Sequence, residues 1–398
     1  MIGLIMKITF INSRICLSLA LVALLFSSVI VEAAPNSQQL LKMIEAQQKQ
    51  LDALKASLLK AEKQAKTAAS KADAASSTLS ALPNGLSIGG ALEIEATQSD
   101  TYAGVNSNDL ALAKAELFVD AQPHDLVGTH IQLLYEDGSS NITLDEAIVS
   151  IGDTEKYPIY LDIGQFAVPF GGFDTAMNSD PLSKTLGETA EGAILVGYNF
   201  DQFTVQGYAF NGDTQKAGDE DEIDQYGFSA SVESEVDGVN FTGGMGYISN
   251  ITDASGLGDN VTGNTALNSY VKGFEVHGSL ANGPFTFYAG YMAALDSYKV
   301  GELAFNGSGA SPETWNLEGV YSLPVQGKET SIAFTFQGSE EALAIALPET
   351  RIGGAVTVQA LDNVSVTGEY IHDEDYDIDE GGTGSDKSTF TLKMATEF

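Results

Sequence analysis

Ser87-Ile88-Gly89-Gly90-Ala91-Leu92-Glu93-Ile94-Glu95-Ala96 alternates apolar residues with polar or small ones. Built as a strand, it turns Ile88, Leu92 and Ile94 to one face and Glu93 and Glu95 to the other. Val127, Thr129, Ile131, Leu133 and Tyr135 repeat the pattern against Gly128, His130, Gln132, Leu134 and Glu136. It returns through Val239-Phe241-Gly243-Met245-Tyr247, Phe285-Phe287-Ala289-Tyr291 and Val364-Val366-Gly368-Tyr370. Sixteen such segments run from 86–96 to 387–398, with the alternation weakest in 142–151, 159–166 and 330–336. Segments of about ten residues with one apolar face are the mark of membrane barrels.

The links between segments follow the same plan. Short ones, such as Asp201-Gln202 and Asp362-Asn363, alternate with longer ones, such as 211–223, 250–267 and 296–312. Short periplasmic turns and longer outer loops are what a membrane barrel has, and an even strand count puts both ends of the sheet on the periplasmic side. The apolar face carries Tyr135, Tyr226, Tyr247, Tyr291 and Tyr370 at one set of ends. Phe200, Phe203, Phe241, Phe285, Tyr321 and Phe398 stand at the other, as interfacial girdles require. Phe390, Leu392, Met394 and Phe398 share one face, and a terminal aromatic of this kind resembles the signal read by the barrel-assembly machinery.

Charge narrows the function. The 398 residues hold 54 Asp+Glu against 19 Lys+Arg, a formal net charge of −35. Such a chain is a poor partner for nucleic acid, whose binding depends on Lys and Arg neutralising phosphates. Residues 83–398 hold only ten Lys+Arg, too few for a soluble sandwich that protects its edges with lysine.

Two segments precede the strands. Lys7 and Arg14 lead an apolar run, Ile15 to Phe26, ending in small residues up to Ala33-Ala34. This reads as a signal peptide over 1–33, the alternative being an N-terminal anchor. The lone Cys16 falls inside that run, so the cleaved chain has no thiol chemistry. Residues 34–82 read as a periplasmic coiled coil, with Leu40, Ile44, Gln47, Leu51, Leu54, Leu58 and then alanines at heptad spacing to Leu79 and Leu82. The alternative is one amphipathic helix packed on the rest of the molecule. Covering the heptad stripe requires another helix, which predicts a homo-oligomer; other sixteen-stranded porins suggest a trimer by analogy.

Gly164-Gln165-Phe166-Ala167-Val168-Pro169-Phe170-Gly171-Gly172-Phe173-Asp174 resembles a motif of phosphate-selective porins and of LbtU-type siderophore porins. An N-terminal coiled coil before an acidic barrel resembles the LbtU-type family more. That resemblance implies TonB-independent uptake of an iron-siderophore across the outer membrane of a Gram-negative cell.

The residues themselves point to an outer-membrane channel for small solutes. Glu93, Glu95, Glu116, Glu146, Asp162, Glu275, Glu318 and Glu369 are expected to line its lumen, with Lys114 and Lys393 as sparse counterparts. Carboxylate linings favour cations, so a general cation-preferring porin is the alternative to siderophore transport. A structural tether to the cell wall is a third reading. Ala167 to Gly192 is expected to fold inward as the constriction, presenting Asp174, Asp180, Glu188 and Glu191 against Lys184. The acidic run His372 to Glu380 fails the calcium-loop pattern, since Ile378 stands where that loop needs Gly, and reads as a solvated loop. No nucleophile elbow, zinc motif or phosphate loop is present, so no enzyme, cofactor or metal site is expected. Expected partners are outer-membrane lipid and lipopolysaccharide, the assembly machinery, further copies of the chain and a small-molecule or cation permeant.

Overall fold

The computed structural model describes residues 85–398 except 219–221, 259 and 262–265. The expected signal peptide and coiled coil lie outside the described residues.

Sixteen antiparallel strands close on themselves. They are β1 (Leu86–Asp100), β2 (Asn106–His124), β3 (Val127–Glu136), β4 (Thr143–Ile151), β5 (Ile159–Ala167) and β6 (Ala190–Phe200). Then come β7 (Phe203–Asn211), β8 (Gln225–Val236), β9 (Val239–Ile248), β10 (Gly273–Asn282) and β11 (Phe285–Ala294). A two-stranded hairpin, β12 (Ala304–Phe305) with β13 (Ser308–Gly309), sits in the next loop. The barrel resumes with β14 (Glu313–Val325), β15 (Lys328–Glu340), β16 (Thr350–Leu361), β17 (Val364–Glu374) and β18 (Asp386–Glu397). Every barrel strand pairs with its neighbours in order, and β18 pairs back onto β1 through Ile94↔Met394 and Glu95↔Lys393. Closure leaves no edge to hydrogen-bond, which is the condition for a sheet in a bilayer.

Each of the sixteen expected segments is a strand. The differences lie at their ends. β1 runs on past the expected end at Ala96 to Asp100, and β2 starts at Asn106, so the loop between them is only 101–105. Thr97 to Asp100 and Asn106 to Asp109 are polar throughout, and Ser99 hydrogen-bonds Ser107. Beyond the apolar band a ladder needs no alternation, so hydropathy cannot show it. β15 starts at Lys328 because Gln326 and Gly327 take φ of 51° and 78°, the left-handed pair of a tight hairpin turn.

The exterior is apolar and girdled. Phe200 stacks near Phe203 at 5.4 Å and Phe285 near Tyr321 at 5.0 Å at the turn end, and Tyr226 lies 6.3 Å from Tyr247 at the other. Strands β1–β5 carry Ile88, Leu92, Ile94, Leu117, Ile131, Leu133, Val149, Ile151 and Ile163 outward, and Tyr135 is their one outward aromatic. Aromatics resume at Tyr198.

A second apolar core lies inside the barrel, where alternation predicts polar residues. Phe166, Leu195, Tyr208, Phe210 and Ile248 point inward from β5–β9 and are buried. Phe170, Leu182 and Leu186 pack on them from segment 168–189, Ile251, Leu257 and Val271 from loop 249–272, and Tyr298 and Leu303 from loop 295–312. Loops folded into the mouth therefore turn part of the lumen wall into ordinary protein interior.

Candidate functional site

The segment between β5 and β6 is a strap laid across the lumen. Gly171, at φ 110°, and Gly172 let it approach the wall closely. A Cβ at Gly172 would stand 2.3 Å from the His277 ring on β10, and one at Gly171 would meet Phe173 and the Met292 side chain of β11. Beyond them, Thr175 Oγ1 and the Ala176 N–H donate to Glu318 of β14 at 2.6 and 2.7 Å. The N–H groups of Asn178 and Ser179 and the Ser179 hydroxyl all donate to Glu369 of β17. Asn178 Nδ2 donates to Glu95 of β1 at 3.1 Å. Pro181 then starts helix α1 (Leu182–Gly187), whose first N–H donates to Gln337 of β15 at 2.8 Å. Leu182 and Leu186 bury the inner side of α1.

The eight residues expected in the lumen all face the barrel interior: Glu95 accepts from the strap's Asn178, and the other seven divide into two groups. Glu318, Glu369 and Glu275 are 6, 2 and 2% exposed. The first two anchor the strap, and Glu275 holds His277 Nδ1 at 2.8 Å. They are fasteners, buried from solvent. Glu93, Glu116 and Glu146 stay partly open on the opposite sector, and Asp162 shares the inward face of β5 with Tyr160. Lys393 reaches Glu93 at 3.3 Å, Lys114 pairs with Glu116, and Gln132 donates to Glu116 at 3.0 Å.

The four expected constriction residues also separate. Asp180 and Glu188 flank Lys184 on α1 at 3.0 and 3.6 Å. This trio looks onto the open sector, where Lys184 feels Glu136 and Glu188 feels Asp145. Burial pushes the Glu188 carboxyl above its ordinary value, against the pull of Lys184. Burial also opposes the Lys184 charge, yet Asp180 and Glu188 hold its proton more firmly than in free lysine. Asp174 is exposed on the outbound arm, within electrostatic reach of His277 and Tyr288. Glu191 belongs to β6, outside the loop that was expected to carry it, and is 8% exposed. Asp213 N–H approaches it at 3.4 Å, and Asp253 stands near. Asp253 in turn accepts from Thr214 N–H and Asn250 Nδ2, both at 2.7 Å. Burial raises its carboxyl to about 6 against those hydrogen bonds.

The acidic run at 372–380 is partly structural. His372 to Glu374 belong to β17; Arg351 grips Asp373 with two hydrogen bonds, at 2.7 and 3.0 Å, and Asp375 accepts from the Thr383 N–H and hydroxyl. Among the described residues no group of three or more His, Cys, Asp or Glu is placed to hold a metal.

Sequence reasoning missed the strap's fasteners on the strap side, Thr175, Asn178 and Ser179, and the anchor Gln337. Their partners lie some 140 to 190 residues away along the chain.

A sixteen-stranded closed barrel with an inward strap after its fifth strand has the fold of the outer-membrane porins. An anion-selective porin from Comamonas acidovorans superposes with a TM-score of 0.54 at 12% identity, over 79% of this chain and 99% of that one. OmpT of Vibrio cholerae, in a trimer form, gives 0.50 at 12% identity over 79% of this chain and 99% of its own. In sequence, the chain is similar to a UPF0422 protein of Coxiella burnetii, 29% identical over 306 residues. That match takes in 74% of this chain, which spans less than two thirds of the relative's length, 66%. No protein-family model matches the chain.

Proposed function

We propose that this protein is an outer-membrane channel that passes small solutes and prefers cations. One observation carries the reading: strap and mouth loops fill the β6–β17 side, and the sector left open, β18 with β1–β5, is lined by unequal charge. Its acids are Glu93, Glu116, Asp120, Glu136, Asp145, Glu146, Asp162, Asp180 and Glu188; its lysines are Lys114, Lys184, Lys387 and Lys393, each paired with a carboxylate. A low-dielectric wall concentrates such a field along the path. Fold neighbours that are porins favour a channel over an enzyme.

The lining supports a general cation-preferring porin over the siderophore route implied by the family resemblance, because a polycarboxylate siderophore is itself anionic. An aliphatic, nearly aromatic-free exterior on β1–β5 supports a second copy of the chain packing there in place of lipid, as the trimer reading requires. The coiled coil over 34–82 and its periplasmic placement belong to the same proposal.

Liposome swelling tests it. Proteoliposomes should swell faster in small organic cations than in anions of equal size, and Asp180→Asn with Glu188→Gln should narrow the difference. Equal rates in the parent protein would sink the preference, and no swelling in any solute would sink the channel.

A further inference from the structure

Two lysines stand at the constriction of a lumen lined mainly by carboxylates. Asp180, Lys184 and Glu188 follow one another at intervals of four, which brings both acids to the lysine's side of α1. Lys184 Nζ lies between them, 3.0 Å from Asp180 Oδ2 and 3.6 Å from Glu188 Oε1. Across the opening, Lys114 of β2 rests on Glu116 and is paired in register with Glu136 of β3. Lys114 is within electrostatic reach of Lys184, and Lys184 of Glu136, so strap and wall present their lysines to one gap. The two side chains are 31 and 36% exposed, and an ion passing through meets both.

Carboxylates alone would make this gap a trap for divalent cations. An attractive field acts on an ion in proportion to its charge, so an acidic lining draws Ca²⁺ more strongly than K⁺. Ca²⁺ binds through oxygens, at ~2.3–2.6 Å, and carboxylates are its common ligands. Asp180 and Glu188 already converge on one point, and the ammonium of Lys184 fills it. Because that charge is tethered, a free ion competes with it at a disadvantage of effective concentration. Burial opposes the charge, but the two carboxylates hold the proton more firmly than free lysine does, so it is present at neutral pH. Lys114 serves Glu116 in the same way and stands within reach of Glu93. K⁺ needs no such seat, since the excess of carboxylates along the sector draws it through.

We propose that Lys184 on the strap and Lys114 on the wall are specificity-determining residues. As tethered counter-ions they let monovalent cations pass and keep calcium and magnesium from settling in the constriction. This rests on the channel reading and names the class of cation that the channel carries.

The test is planar-bilayer recording of the full chain in KCl near neutral pH, with CaCl₂ added and each current read relative to the same protein's calcium-free current. The parent should keep its K⁺ current in millimolar Ca²⁺. In Lys114→Gln/Lys184→Gln the half-blocking concentration of Ca²⁺ should fall about tenfold or more below the parent's. Lys114→Arg/Lys184→Arg, which keeps both charges, should stay with the parent. Equal block in the parent and the glutamine variant would overturn the proposal. So would an arginine variant blocked as easily as the glutamine one, because charge would then not be what excludes the ion. If no protein carries K⁺ current, the channel reading fails, and calorimetric titration of the detergent-solubilised proteins with Ca²⁺ decides the lysines separately. The glutamine variant should gain a calcium site that the parent lacks, and adding Asp180→Asn and Glu188→Gln should remove it. No gain would overturn the counter-ion role.

Discussion

Glu369 is a lumen carboxylate by alternation and a fastener by contact. Three donors converge on it from Asn178 and Ser179. Glu369→Ala leaves two backbone N–H groups and a hydroxyl unmade in a buried place, at about 1–3 kcal/mol for each orphaned group. The expected result is a looser strap: noisier single-channel current and a new protease-sensitive site within 168–189, in a barrel that still runs as a folded band on semi-native gels. A quiet, protease-resistant variant would contradict the anchoring role. Gly172→Val should act from the other side, since its side chain would enter the His277 ring. The inward direction of Glu369, Glu318 and Glu95 was legible from period-two alternation alone. Their tasks were not, because each is set by a strap residue far away in the chain.

At the scale of elements, strands were legible and the inner packing was not. Lipid enforces an apolar outer face on every strand, which writes the alternation into the sequence. The inner face obeys whatever lies against it: open lumen opposite β1–β4, folded loops opposite β6–β9 and the end of β5 at Phe166. Inward Leu195, Tyr208 and Phe210 therefore blur the pattern without breaking it, and Glu191, taken with the loop, sits in a strand. Loop 249–272 carries a pH dependence of its own. The folded value of Asp253, about 6, lies above its unfolded value of 3.8. A raised carboxylate contributes stability that is complete below the unfolded value and is lost as pH rises through the folded one. The loop should therefore be most firmly docked near pH 4 and loosen by on the order of 3 kcal/mol toward pH 7. Hydrogen exchange of residues 249–258 across that range should show the loosening in the parent and a flat profile in Asp253→Asn. Parallel profiles would remove Asp253 as the cause.

For the whole molecule, closure and net charge were both readable in advance, the first from sixteen alternating segments and the second from composition. Assembly is the part the heptads argue and the barrel exterior supports. Deleting 37–82 should lower the mass of the detergent complex, and single cysteines at Leu117 should cross-link between copies while cysteines at Phe334 should not. An unchanged mass would remove the heptads as the cause of assembly. The central claim, that the open sector passes cations, is tested most directly by the zero-current potential of the reconstituted channel across a tenfold KCl gradient. The account predicts a potential of the sign for K⁺ preference, more than half of the ~59 mV limit for a single permeant ion, shrinking in Asp180→Asn/Glu188→Gln. A potential near zero, or one of the sign for Cl⁻, would contradict it.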